Sequence, residues 1–184
     1  DVVPVLTKAG CNTGVCHAKA GGGQNGFQLS LLGFEPQEDY ESLVKQGRGR
    51  RLFPAAPARS LLLLKASGQT PHGGGVRLAR DSKHLALLQQ WIEQGAPYAE
   101  PTEPELMSVE VRPPRGVVPL NGQQQLQALA HYSDDSVRDI TKLALFESND
   151  EALAQVSDTG LVQVHDIPGK VAVMLRYQGQ ASVF

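Results

Sequence analysis

The chain lacks most features that would settle a function class quickly. No apolar run among its 184 residues approaches the length of a membrane span. Its net charge is only −2, split as +3 over residues 1–100 and −5 over residues 101–184. Neither half is basic enough for nucleic acid, so neither a membrane span nor nucleic acid is among the expected partners. Two glycine-rich runs, at 21–26 and 73–75, lack the Lys-Ser/Thr that would follow in a phosphate-binding loop. Cysteine is scarce: Cys11 and Cys16 are the only two. They fall short of the four ligands in paired spacing that a structural zinc site uses. What is there is ordinary for a soluble globular protein: 41% hydrophobic and 20% charged residues, on a chain long enough for one large or two small domains.

The scarce cysteines are also the most informative residues. They stand five positions apart, with a histidine directly after the second: Cys11-Asn12-Thr13-Gly14-Val15-Cys16-His17. This reads as a covalent haem-attachment site with four residues between the cysteines, where the common form has two. Cys11 and Cys16 would form thioethers to one haem c, and His17 would bind the iron as proximal ligand. Asn12, Thr13 and Gly14 are small or turn-prone and allow the bulge that the longer spacing needs. A small-loop disulfide, a zinc site recruiting scattered histidines and a pair of inert buried thiols are the competing readings.

The two halves differ in period. In the first, Val2 to Lys8 is a short apolar segment. Helices are predicted over Pro36–Gln46, over Leu61–Lys65 with Ser60 as cap, and from Asp81 or Ser82 to about Gln94. The glycine runs between them read as places where backbone packs close to a large flat ligand. Pro97 to Pro104 is a proline-rich, acidic connector. Beyond it the period becomes two, in Ser108–Arg112, Gln124–Ala130, Ala154–Val156, Leu161–Val164 and Val171–Leu175, with turn residues between. Short strands at this spacing predict a β-sandwich, and this half holds no convergent catalytic set. The expected boundaries are a haem-binding domain over 1–99, a linker over 100–106 and a second domain over 107–184.

For the iron's sixth position, His72 is favoured over His84, His131, His165, Met107 and Met174. Pro71 stiffens its approach, and Gly73 to Gly75 remove side chains that would collide with a porphyrin edge. Two imidazole ligands give a low-potential, low-spin haem suited to electron transfer. Arg48, Arg50 and Arg51 are candidate partners for the propionates, since arginine pairs bidentately with carboxylates. Phe27 and Trp91 are candidate pocket lining.

Several stretches carry a resemblance. Cys11–His17, Gly26–Ser30, Phe53-Pro54 through Pro57, Ser60–Leu63, Pro71–Gly75 and Trp91–Ala96 resemble the planctomycete cytochrome c domain family over most of residues 1–97. The chain departs from the commoner pattern in its cysteine spacing. It also has His72 with glycines in the loop that often carries Met-Pro-Pro. Leu120–Gly122, Tyr132–Asp134, Asp139–Thr141, Phe146–Ser148 and Gly160–Val162 resemble a bacterial Ig-like domain of group 2. Together these resemblances imply a multi-domain chain: a small, mainly α, cytochrome c-like haem domain followed by an all-β immunoglobulin-like sandwich.

The implied function is a c-type cytochrome module for electron transfer within a larger protein, with a redox partner protein or fused domains as partners. Any catalysis would reside outside this chain, so an enzyme is not the favoured reading. The expected location is periplasmic or cell-surface. No signal peptide is present at Asp1, but c-type haem is attached outside the cytoplasm and a leader would already be removed. A haem-based sensor or redox enzyme with an open sixth site is one alternative. The other is an interaction module whose Ig-like half binds a polysaccharide or a protein.

Overall fold

A computed structural model describes residues 1–99 and 102–184. The chain divides into two compact units, Asp1–Pro101 and Thr102–Phe184. Glu100 and Pro101, part of the expected linker, lie outside the described residues.

Among its described residues the first unit holds four short α-helices, with 3-10 turns between them: α1 Val2–Lys8, α2 Pro36–Val44, α3 Leu61–Ala66 and α4 Lys83–Glu93. Proline at the first position of α2 presets its backbone, and Glu38 and Asp39 face the positive end of the helix. The Ser82 hydroxyl caps α4 by accepting from the Leu85 N–H at 3.1 Å. Leu85, Leu88 and Ile92 then fall on one buried face. Ser60 does not cap α3 through its side chain. Its hydroxyl accepts instead from the Phe53 N–H at 2.9 Å, which closes the loop ahead of the helix. Val5, Leu6, Leu29, Leu43, Leu63, Leu88 and Ile92 form the buried interior of this unit.

The second unit is built of strands β1 Leu106–Arg112, β2 Gln123–Gln125, β3 Gln127–Tyr132, β4 Val137–Asp139, β5 Leu145–Ser148, β6 Ala154–Val156, β7 Leu161–Val164, β8 Val173–Tyr177 and β9 Gln180–Val183. All pairings are antiparallel, and they make three three-stranded sheets: β1-β3-β4, β2-β7-β6 and β5-β8-β9. One core serves all three, with Val111 and Ala128 from the first, Val162 from the second, and Phe146, Val173 and Leu175 from the third.

This architecture corrects the expected fold class. The chain is mixed, with about 25% helix and 24% strand, and is not a mainly α haem domain followed by an immunoglobulin-like sandwich. The helices of the first unit are only 7, 9, 6 and 11 residues long, so turns and loops make up most of it. In the second unit, the alternating run from Gln124 to Ala130 reads as one strand of one sheet. It is broken at Leu126, whose N–H donates to the Gly160 carbonyl at 2.8 Å. The chain therefore leaves the β2–β7 pairing there and enters the β3–β1 pairing. That change of partner divides the strands among three small sheets in place of two facing ones.

Candidate functional site

The site is assembled from loops of the first unit and from helix α3. The segment after α1 turns back on itself at the cysteines. The Cys11 N–H donates to Leu6 at the end of α1 (2.9 Å), and the Thr13 hydroxyl donates to the Gly10 carbonyl (2.8 Å). The His17 N–H then donates to the Cys11 carbonyl at 2.9 Å. This last bond closes the six-residue bulge at its base and brings both thiols and the His17 ring to one mouth. Asn12 is fully buried beneath the bulge and donates to the Thr7 hydroxyl at 2.8 Å. Both thiols are free.

The glycine run at 21–23 supports this bulge. A Cβ on Gly21 would stand 1.7 Å from the Gly14 carbonyl oxygen, so glycine is required by contact with the cysteine loop itself. Gly73 and Gly74 of the second run line the cavity, and the 21–26 run contributes Gln24 and Asn25 to it.

Cys11, Cys16, His17 and His72 share a cavity of about 670 Å³, within the roughly 300–1,000 Å³ common for cofactor sites. Phe27, Leu61, Leu62 and Ala66 give it apolar walls, with Arg50, Arg51, Lys65 and Arg77 as the charged residues of the lining. No Asp or Glu lines it, so the cavity is electropositive. Arg48 and Trp91 do not line it. Arg48 is exposed, and the Trp91 indole N–H donates to the Pro97 carbonyl at 2.9 Å, beyond the end of α4.

The two histidines are held alike. His17 Nδ1 lies 3.2 Å from the Phe27 carbonyl oxygen, and His72 Nδ1 lies 2.9 Å from that of Gly75. A carbonyl can only accept, so each bond calls for a proton on Nδ1, which in a neutral imidazole is the tautomer with the Nε2 lone pair free. The two rings are parallel to within 6°, with centroids 6.1 Å apart. Burial holds the His17 pKa below its usual 6.5, against the opposing Phe27 carbonyl bond and with help from His72, Arg51 and Lys65. The ring is therefore neutral near pH 7, the form that binds metal.

The thiols differ. Burial pushes Cys11 up to about 11, opposed by the Arg77 guanidinium. Arg77 Nη2 also lies 3.7 Å from Cys16 Sγ. Lys65 and Arg77 stand apart from the 48–51 arginine cluster in sequence. Both approach the cavity from the segment around α3: Lys65 donates to the Pro71 carbonyl at 2.9 Å, and the Arg77 N–H donates to the Ala66 carbonyl at 2.8 Å.

Arg51 lines the cavity and is also tied to the backbone around it. Its guanidinium is buried and donates to the carbonyls of Ser42 (2.8 Å), Gln46 (2.9 Å) and Gly26 (2.8 Å). Arg50 reaches the Asn25 carbonyl at 3.3 Å and stays exposed.

Describing this half as a metal-binding cytochrome from its motif is corrected by two findings. Among the described residues, no three His, Cys, Asp or Glu side chains gather into a group that could hold a metal ion. The cysteines and histidines are spread over the walls of a cavity, and no carboxylate joins them. The comparisons with known proteins name no cytochrome either. No protein-family model matches the chain. A stretch of 68 residues, 37% of the chain, is 38% identical to Ice-binding protein 1 of Shewanella frigidimarina, and it spans only 8% of that protein's length.

Proposed function

We propose that the first unit holds one covalently attached haem and serves as an electron-transfer module of a larger extracytoplasmic protein. A bare metal ion would need three or more protein ligands, which the site does not offer. A haem brings four nitrogens of its own and asks the protein for two. The observation that carries the reading is the His17–His72 pair: parallel rings at 6.1 Å, both with Nδ1 tied to a carbonyl. Imidazoles bonded at about 2 Å to opposite faces of one iron put their centroids about 6 Å apart. Two thiols at the same mouth, apolar walls and an acid-free lining fit a flat, apolar ligand with anionic carboxylates.

In this reading His17 and His72 would hold the iron, and Cys11 and Cys16 would attach the haem through thioethers. The bound group would supply one-electron chemistry. The chain's own contributions are distinct from it. The two carbonyls fix the tautomers and raise the basicity of the rings. The bulge holds the thiols beside His17. The apolar walls limit water, and Arg50, Lys65 and Arg77 offset negative charge. With both axial positions filled, electron transfer is favoured over ligand sensing or catalysis, and the partner is a redox protein or a domain joined to this chain. The match to an ice-binding protein covers too little of that protein to bring its named property to this chain.

The deciding experiment is co-expression of the full chain with a haem-attachment system, followed by denaturing electrophoresis and a haem stain. Retained haem supports the reading, and a haem-free polypeptide sinks it.

A further inference from the structure

We infer that Arg51 is a positioning residue, and that it sets the orientation and tautomer of His17 through Phe27. The consequence for an iron ligand rests on the function proposed above, whereas the positioning itself concerns the protein without any ligand.

The guanidinium is a planar fork with five donors, and a buried one must find acceptors for them. Arg51 finds three carbonyls on two segments. Those of Ser42 and Gln46 belong to the end of α2 and the turn after it, and that of Gly26 belongs to the loop facing the cavity. Its fork also lies over the Phe27 ring, 4.6 Å from the centroid. Arg51 thus grips the Gly26–Phe27 peptide from both its carbonyl side and its ring side. Phe27 in turn touches His17 twice. Its ring packs on the imidazole at 4.6 Å between centroids, and its carbonyl accepts from Nδ1.

The same loop is pinned to α2 by bonds that do not involve Arg51. Asp39 accepts from the Ser30 N–H (2.5 Å) and hydroxyl (2.7 Å), and the Ser42 hydroxyl donates to the Gln28 carbonyl (2.5 Å). Removing the Arg51 fork takes away the bond to the Gly26 carbonyl and the contact on the Phe27 ring, which leaves Phe27 held by its two backbone bonds with Gln24 (2.9 and 3.2 Å) while residues 28–30 stay docked. His72 provides an internal control, because its Nδ1 acceptor is Gly75, three residues along its own loop. Nothing in the Arg51 chain of contacts reaches that bond.

The test is nitrogen NMR of the histidine rings in the full, haem-free chain at a pH where both are neutral. In the unaltered protein, His17 and His72 both show the Nδ1–H tautomer. In Arg51→Met, His17 is expected to become a mixture of tautomers while His72 keeps Nδ1–H. Arg51→Lys, which keeps the charge but lacks the planar fork that spans the Ser42, Gln46 and Gly26 carbonyls, is expected to give the same loss, and it carries the test should Arg51→Met not fold. A His17 that stays wholly Nδ1–H in these variants overturns the inference. So does equal loss at both histidines, which would show a general structural role. Failure to attach haem would defeat the proposed function and leave this result untouched.

Discussion

The imidazole rings of His17 and His72 lie parallel across one cavity, 6.1 Å between centroids, each with Nδ1 committed to a backbone carbonyl. The two residues are 55 positions apart in sequence and are held by unrelated loops. Their matched presentation explains why the cavity reads as a place for a six-coordinate iron, and it allows the two ligands to be tested separately.

If the proposed haem is bound as inferred, replacing His72 by Ala would remove one of the two residues that would hold the iron and leave both thiols in place. The loaded variant should keep covalent haem, lose the low-spin spectrum and bind carbon monoxide readily when reduced. A low-spin spectrum indistinguishable from the parent would remove His72 from the ligand set.

The acid-free lining predicts a charge preference. A chain carrying Cys11→Ala and Cys16→Ala should still take up haem without covalent attachment, less tightly as salt rises. Lys65→Gln and Arg77→Gln should each weaken that uptake about tenfold, the scale of one hydrogen bond to a charged group. A porphyrin with esterified carboxylates should be nearly insensitive to both substitutions. Equal losses for the acid and ester forms would mean that these cations do not meet the carboxylates.

The neutral His17 gives the haem-free protein a pH dependence of known sign. The folded pKa lies below the ordinary 6.5, so the unfolded chain binds more protons as the pH falls through that value. Stability carried by this group is whole above pH 6.5 and declines on acidification toward the lower folded pKa. Urea unfolding at a series of pH values should show the decline, and His17→Gln should flatten that part of the curve. A slope unchanged by the substitution would place the titration elsewhere.

Gly21 and Gly14 make a paired test of the cysteine bulge. Gly21→Ala forces a methyl into the Gly14 carbonyl and should cost about 1–3 kcal/mol, as overpacking does. Gly14→Ala meets open space and should stay within about 0.5 kcal/mol of the parent. Denaturant midpoints measure both, and equal effects would contradict the contact.

Periodicity and capping made part of this legible from sequence. The Ser82 cap and the apolar face of α4 are local signals, and the structure has both. The Cys11–His17 spacing and the His72 glycine loop are also local, and the fold brings them to one cavity. Strand β4, Val137–Asp139, is exposed at every position and offers no alternation to detect. The break at Leu126 depends on a bond to Gly160, far along the chain, so the three-sheet arrangement could not be seen in the Gln124–Ala130 pattern. Arg51 lines the cavity, and it also bonds three backbone carbonyls, acceptors that have no letter in the sequence. The Trp91 indole N–H meets another such acceptor, the Pro97 carbonyl just past α4.

The most direct test of the central claim is the absorption spectrum of the full chain after expression with a haem-attachment system, recorded oxidised and reduced on material that retains its colour through denaturation. Covalent haem that is low-spin in both states is the predicted result. A colourless chain, or a bound haem that is high-spin with His17 and His72 both intact, would contradict it.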